Sequence, residues 1–103
     1  AVRVFGVWTS TLTSGGEPTL EVGISGATAV VLAQIADATT LATNELYLDA
    51  TPTTQVEAMP NRLLIGNGQD IIQTIGTATI TGGTLIYYCV WAPISTDGNV
   101  VAA

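Results

Sequence analysis

Leu85-Ile86-Tyr87-Tyr88-Cys89-Val90-Trp91 is apolar at every position. A strand alternates its side chains between two faces. Ile86, Tyr88 and Val90 therefore share one face, and Leu85, Tyr87, Cys89 and Trp91 share the other. A strand that is apolar on both sides lies between two layers or in a subunit interface.

Outward from it, the chain reads as short strands punctuated by Gly, Pro and Asn. Val2 to Leu12 is β-branched and aromatic. Ser14-Gly15-Gly16-Glu17-Pro18 is a turn, and Thr19 to Ile24 alternates, with Leu20, Val22 and Ile24 on one face. These two strands are expected to pair as a first hairpin. Arg62 to Gly66 and Asp70 to Thr74 flank Asn67-Gly68, the residues of a type I′ turn, and predict a second hairpin. Thr77 to Thr81, Gly82-Gly83 and Thr84 to Trp91 predict a third. In the Ala-rich middle, Ala29 to Gln34 reads as a strand, Asp37 to Thr43 as a loop or one helical turn, and Glu45 to Leu48 as a short strand ended by Asp49-Ala50-Thr51-Pro52. Many short strands with regular turns predict an all-β fold: an antiparallel β-sandwich, jelly-roll-like, with residues 1–103 as a single domain. Strand-like sequence from Val2 onward leads to the expectation that the domain belongs to a longer chain.

Composition narrows the function classes. The 103 residues include 48% hydrophobic and 10% charged residues, with a net charge of −6. Soluble domains carry roughly 25% charged residues. So few charges suggest that much of the surface is covered in an assembly. The negative balance, with Arg3 and Arg62 as the only basic side chains, argues against nucleic acid and against anionic membranes as partners. No run is long and apolar enough to span a bilayer as a helix. Histidine and lysine are absent, so the usual general bases and activated nucleophiles are missing. No enzymatic activity, cofactor or metal is expected.

The remaining candidates are weak. Cys89 has no second cysteine to pair with in the chain and no His or Lys to activate it, and is expected to be a small buried hydrophobe. Gly66-Asn67-Gly68 lacks the lysine of a phosphate loop. Asp97-Gly98-Asn99 lacks the ligand spacing of a calcium loop and reads as a turn. Glu45 with Asp49, or Glu17 with Glu21, could pair as carboxylates, as in glycosidases. Trp8, Tyr47, Tyr87, Tyr88 and Trp91 could stack on sugars if two of them shared an exposed face. The residues expected in the core or in a subunit interface are Phe5, Trp8, Leu20, Val22, Ile24, Leu64, Ile72, Ile86, Tyr88 and Trp91.

Several segments carry a resemblance. They are Pro18-Thr19-Leu20-Glu21-Val22-Gly23-Ile24-Ser25-Gly26, Ala33-Gln34-Ile35-Ala36-Asp37-Ala38-Thr39-Thr40 and Leu46-Tyr47-Leu48-Asp49-Ala50-Thr51-Pro52. Ile71-Ile72-Gln73-Thr74-Ile75, Ile86-Tyr87-Tyr88-Cys89-Val90-Trp91-Ala92-Pro93 and the closing Asp97-Gly98-Asn99-Val100-Val101-Ala102-Ala103 complete the set. In order and spacing they resemble small structural proteins of tailed bacteriophages and prophages, in which a similar block forms the C-terminal part of a longer chain. The likeness is one of texture and brings no catalytic residues with it. It implies a virion component of the capsid-decoration or head-fibre kind, on the outer capsid surface. Its implied partners are other copies of itself, as a trimer or another symmetric homo-oligomer, and virion proteins such as the major capsid protein. A glycan- or receptor-binding module of a fibre or spike is the alternative.

Overall fold

The computed structural model describes residues 1–56, 58, 62–66 and 68–102. Six strands form two antiparallel three-stranded sheets. The first sheet has the order β4-β1-β6, from β1 (Val2–Ser14), β4 (Leu46–Tyr47) and β6 (Ile80–Trp91). The second has the order β3-β2-β5, from β2 (Thr19–Ile24), β3 (Ala27–Ile35) and β5 (Ile72–Gly76). The fold is all-β and sandwich-like. The described residues form six strands, and a jelly roll has eight.

The pairing is non-local, and it corrects the expected hairpins. β1 and β2 are not partners but lie in different sheets. β1 runs along β6 from Val2↔Trp91 to Ser14↔Ile80, joining the two ends of the chain. β2 sits between β3 and β5. The expected Arg62–Thr74 hairpin is absent from the described residues. Leu63 instead forms a bridge to Val2, and Ile72–Gly76 pairs with β2. Asn67, which was to make its turn, lies outside the described residues. The third hairpin is also replaced. β6 passes straight through Gly82-Gly83, and the reversal falls at Thr77, whose φ is +69°. The strand continues because β1 carries irregularities opposite, between Trp8 and Ser10 and between Ser10 and Thr13. Gly83 takes φ +94°, and a Cβ there would stand 2.4 Å from the Thr11 carbonyl oxygen. A glycine is required, but at a bulge rather than at a turn.

The core lies between the sheets. On β1 the even positions Val2, Val4 and Trp8 point inward, and on β2 Leu20 and Val22 do. From β3 come Val31, Leu32 and Ile35, followed by Ala38 and Leu41 around a single 3₁₀ turn at Ala38–Thr40. Asp37 caps that turn by accepting a hydrogen bond from the Thr39 amide at 3.0 Å. Tyr47 is fully buried and stacks on Trp8 with ring centroids 5.4 Å apart. Its hydroxyl reaches the carbonyls of Ala33 at 2.7 Å and Leu20 at 3.1 Å, both on the opposite sheet. Gly6, beside Tyr47 in the ladder, leaves room for Leu85 and Tyr87; a Cβ there would come within 2.9 Å of Leu85 Cδ1. The Tyr87 hydroxyl then donates to Gln73 Oε1, a second tie between the sheets.

Candidate interaction face

The same register that buries the even positions of β1 turns its odd positions outward. Arg3, Phe5 and Val7 stand opposite Val90, Tyr88 and Ile86 of β6, and Val7 also stands opposite Leu46 of β4. In an antiparallel sheet, directly opposed residues share a face. Apart from Arg3, this outer face is apolar over three strands. Tyr88 is 48% exposed, Val90 58% and Ile86 41%, so a large part of it meets solvent. The Phe5 and Tyr88 rings stack with centroids 5.1 Å apart and planes 17° from parallel, which makes a flat surface at its centre. Arg3 Nε is shielded and has no hydrogen-bond partner among the described residues.

The opposite face of β6 is mixed. Leu85 and Tyr87 pack onto the core. Cys89 and Trp91 continue the same row but are exposed at the edge of the sheet. Cys89 is therefore exposed, which corrects the expectation of a buried hydrophobe. Partial desolvation raises its thiol pKa, so the unreactive protonated form is favoured.

The ten expected core or interface residues divide between these environments. Trp8, Leu20 and Val22 are in the core. Phe5, Ile24 and Ile72 are half-buried. Ile86, Tyr88 and Trp91 are exposed, and so is Leu64 at 73%. Val7, Leu46 and Val90, which complete the outer face, were not among the ten. Val7 and Val90 follow from the period-2 pattern once Phe5 and Tyr88 are placed. Leu46 could not be found in that way, because its two-residue strand has no periodicity to read.

Glu21, Asp37 and Asp49 are committed to local bonds, whereas Glu45 Oε2 is shielded and has no hydrogen-bond partner among the described residues. Asp49 Oδ1 accepts from the Thr51 amide and hydroxyl. Glu21 accepts from Thr28 Oγ1 at 2.7 Å and Gln34 Nε2 at 2.9 Å, and these bonds, Thr28 first, lower its pKa. A depression of about 430 Å³ beside the 3₁₀ turn includes Asp37 and Glu45 in its lining. Asp37 Oδ1 there is held by both the amide and the hydroxyl of Thr39. Among the described residues no three His, Cys, Asp or Glu side chains gather as a metal site, and no helix is long and apolar enough to cross a membrane.

Comparison with protein-family models, with curated proteins and with solved structures finds no match to this chain.

Proposed function

We propose that the chain is a structural subunit that works by laying its apolar sheet face against neighbouring subunits. The observation that supports this most directly is the outer face of Phe5, Val7, Ile86, Tyr88 and Val90, with Phe5 stacked on Tyr88 and with Ile86, Tyr88 and Val90 open to solvent. Exposed apolar patches rimmed by polar residues mark association surfaces in soluble proteins. Burial of such a face contributes about 25 cal/mol per Å² before the costs of association. The scarcity of charge in the whole chain fits the same role.

The particle we assign it to is a bacteriophage virion, where it would act as a decoration or accessory protein on the outer capsid, forming a symmetric homo-oligomer and contacting the major capsid protein. That assignment is supported by the resemblance of the sequence to small phage structural proteins. A sugar-stacking role has less support. Trp8 and Tyr47 are in the core, and Tyr88 and Trp91 fall on opposite sides of β6. Light scattering of the purified chain at micromolar concentration tests the assembly role. An oligomer that dissociates on Ile86→Lys is the expected result, and a monomer refutes it. Mass spectrometry of purified particles tests the virion assignment, which fails if the chain is not among their proteins.

A further inference from the structure

β6 is an edge strand, and its ladder with β1 fixes which of its backbone groups are free. The Ala1 amine donates to the Ala92 carbonyl, and the Ala92 amide donates to the Ala1 carbonyl. Ala1 and Ala92 are thus a hydrogen-bonded pair, and such pairs alternate with non-bonded ones along an antiparallel ladder. Val90, Tyr88 and Ile86 therefore point their amides and carbonyls at β1. Trp91, Cys89, Tyr87 and Leu85 point theirs the other way. The far side of β1 agrees with this phase: the Trp8 amide donates to the Glu45 carbonyl, and Val2 exchanges two bonds with Leu63. Among the described residues nothing pairs with the outward groups of β6.

This free edge has sharp limits. Gly83, at φ +94° in the bulge, interrupts the regular alternation of outward groups before Leu85, although the strand continues. After Trp91, the next residue of the same phase is Pro93, which has no N–H to give. Between these limits Tyr88 is the midpoint. No residue from Ile80 to Trp91 is charged, and none is proline. Long uncharged edges of this kind are pairing surfaces.

We propose that β6 pairs with β6 of a second copy, antiparallel, about a two-fold axis through Tyr88. The inference rests on the assembly reading above and names one of its contacts. In this register Leu85 meets Trp91 of the other copy and Tyr87 meets Cys89. Every outward amide and carbonyl between Gly83 and Pro93 is satisfied, with none left over. Moving the axis to Cys89 would set Leu85 against Pro93 and lose a donor. On the outer face, Ile86 meets Val90, and Tyr88 meets Tyr88. The two apolar faces then join across a continuous six-stranded sheet. The acidic side chains of the chain all lie outside β1 and β6, so the copies meet without like charges opposed. The exposed parts of Ile86, Tyr88, Val90 and Trp91 come to roughly 300–400 Å² per copy, taking a large side chain as about 150–250 Å². Doubled, that is about 600–800 Å², below the size of a standard interface, so the contact is a weak and reversible one.

Cysteine cross-linking reads the register. At the axis, two copies of residue 88 form a non-bonded pair with Cα atoms about 4.5 Å apart, within disulfide range. Two copies of Cys89 lie diagonally, about 7–8 Å apart and out of range. In mild oxidant, Tyr88→Cys with Cys89→Ser should form a covalent dimer about tenfold faster than Val90→Cys with Cys89→Ser, whose thiols the register holds far apart. The wild-type chain should cross-link no faster than the Val90 variant. Tyr88→Lys, which opposes two ammonium groups at the axis, should weaken the dimer by about tenfold or more in sedimentation. Circular dichroism confirms that each variant is folded. Equal cross-linking rates in the two cysteine variants overturn the pairing. An oligomer that is lost on Ile86→Lys yet shows no preferred Tyr88 cross-link also overturns it, while leaving the face reading in place. A monomer at about 100 µM overturns both.

Discussion

Replacing Tyr47 by phenylalanine removes one oxygen from the centre of the sandwich and keeps the ring against Trp8. That oxygen lies 2.7 Å from the Ala33 carbonyl and 3.1 Å from the Leu20 carbonyl, so it ties β4 in one sheet to β3 and β2 in the other. A buried hydroxyl bond contributes about 1 kcal/mol, and a carbonyl left without its donor adds to the loss, for a total of about 1–2 kcal/mol. In a domain of this size that lowers Tm by about 5–10 °C. The effect should depend on pH. Burial, then the nearby Tyr87 and Glu21, push the Tyr47 pKa well above the ordinary tyrosine range. In the unfolded chain the group titrates near 10. Below pH 10 both states hold the proton, and the contribution of Tyr47 is fully present. Above it the unfolded chain releases the proton while the folded chain keeps it. Stability then falls by about 1.4 kcal/mol per pH unit for each such tyrosine. Tyr87, raised by burial as well, acts in the same direction in both proteins. Tyr47→Phe should therefore be less stable than wild type at pH 7, equal near pH 11 and more stable beyond it. Urea unfolding at pH 7, 10, 11 and 11.5 gives the comparison. A deficit that stays constant across this series would refute the burial of the hydroxyl. A deficit below about 0.3 kcal/mol at pH 7 would refute the bridge.

Leu20→Ala and Leu32→Ala each empty a fully packed site between the sheets, and denaturant unfolding should register about 2–5 kcal/mol for either. Gly23→Ala should prevent stable folding, because its Cβ would lie 2.1 Å from the Ala27 carbonyl oxygen; Gly26→Ala, with nothing within 4 Å, should leave the thermal midpoint nearly unchanged. Glu21 has a lowered pKa, so its contribution is present above the unfolded value of about 4.3 and lost as pH falls through the folded one. Glu21→Gln should flatten that acid limb of a stability–pH curve, and an unchanged limb would rule out the Thr28 and Gln34 bonds.

Local pattern was legible in the sequence where one strand meets one core. Leu20 and Val22 point inward as their alternation predicts, and the two-sided apolar character of residues 85–91 matches a strand with one row on the core and one on an open face. What the pattern does not encode is the partner. Alternation is equally compatible with β1 beside β2 or beside β6, and proximity in sequence favours the wrong one. Backbone irregularity hid the rest. Val31 and Leu32 are adjacent yet both buried, because the β2–β3 register shifts between Val22 and Ile24. That bulge erases the alternation that would have marked β3. Gly82-Gly83 has turn composition but sits at a bulge, while the reversal occurs at Thr77, a β-branched residue that seldom takes a positive φ. Among the interaction residues, Tyr88 was legible as interface or core. Its exposure, and its position midway between two breaks in the edge, required the ladder.

The pairing of β1 with β6 also bears on how the chain is made. Of these strands, β1 is made first and meets its longest partner last, after all the residues between Ser14 and Ile80 have been added. Until then, among the described residues, β1 has only two-residue β4 and the Leu63 bridge as ladder partners. Closing so large a loop is slow, on the order of milliseconds to seconds for sheets of this kind. Chains truncated before β6 should aggregate or recruit chaperones, and chains that include it should not.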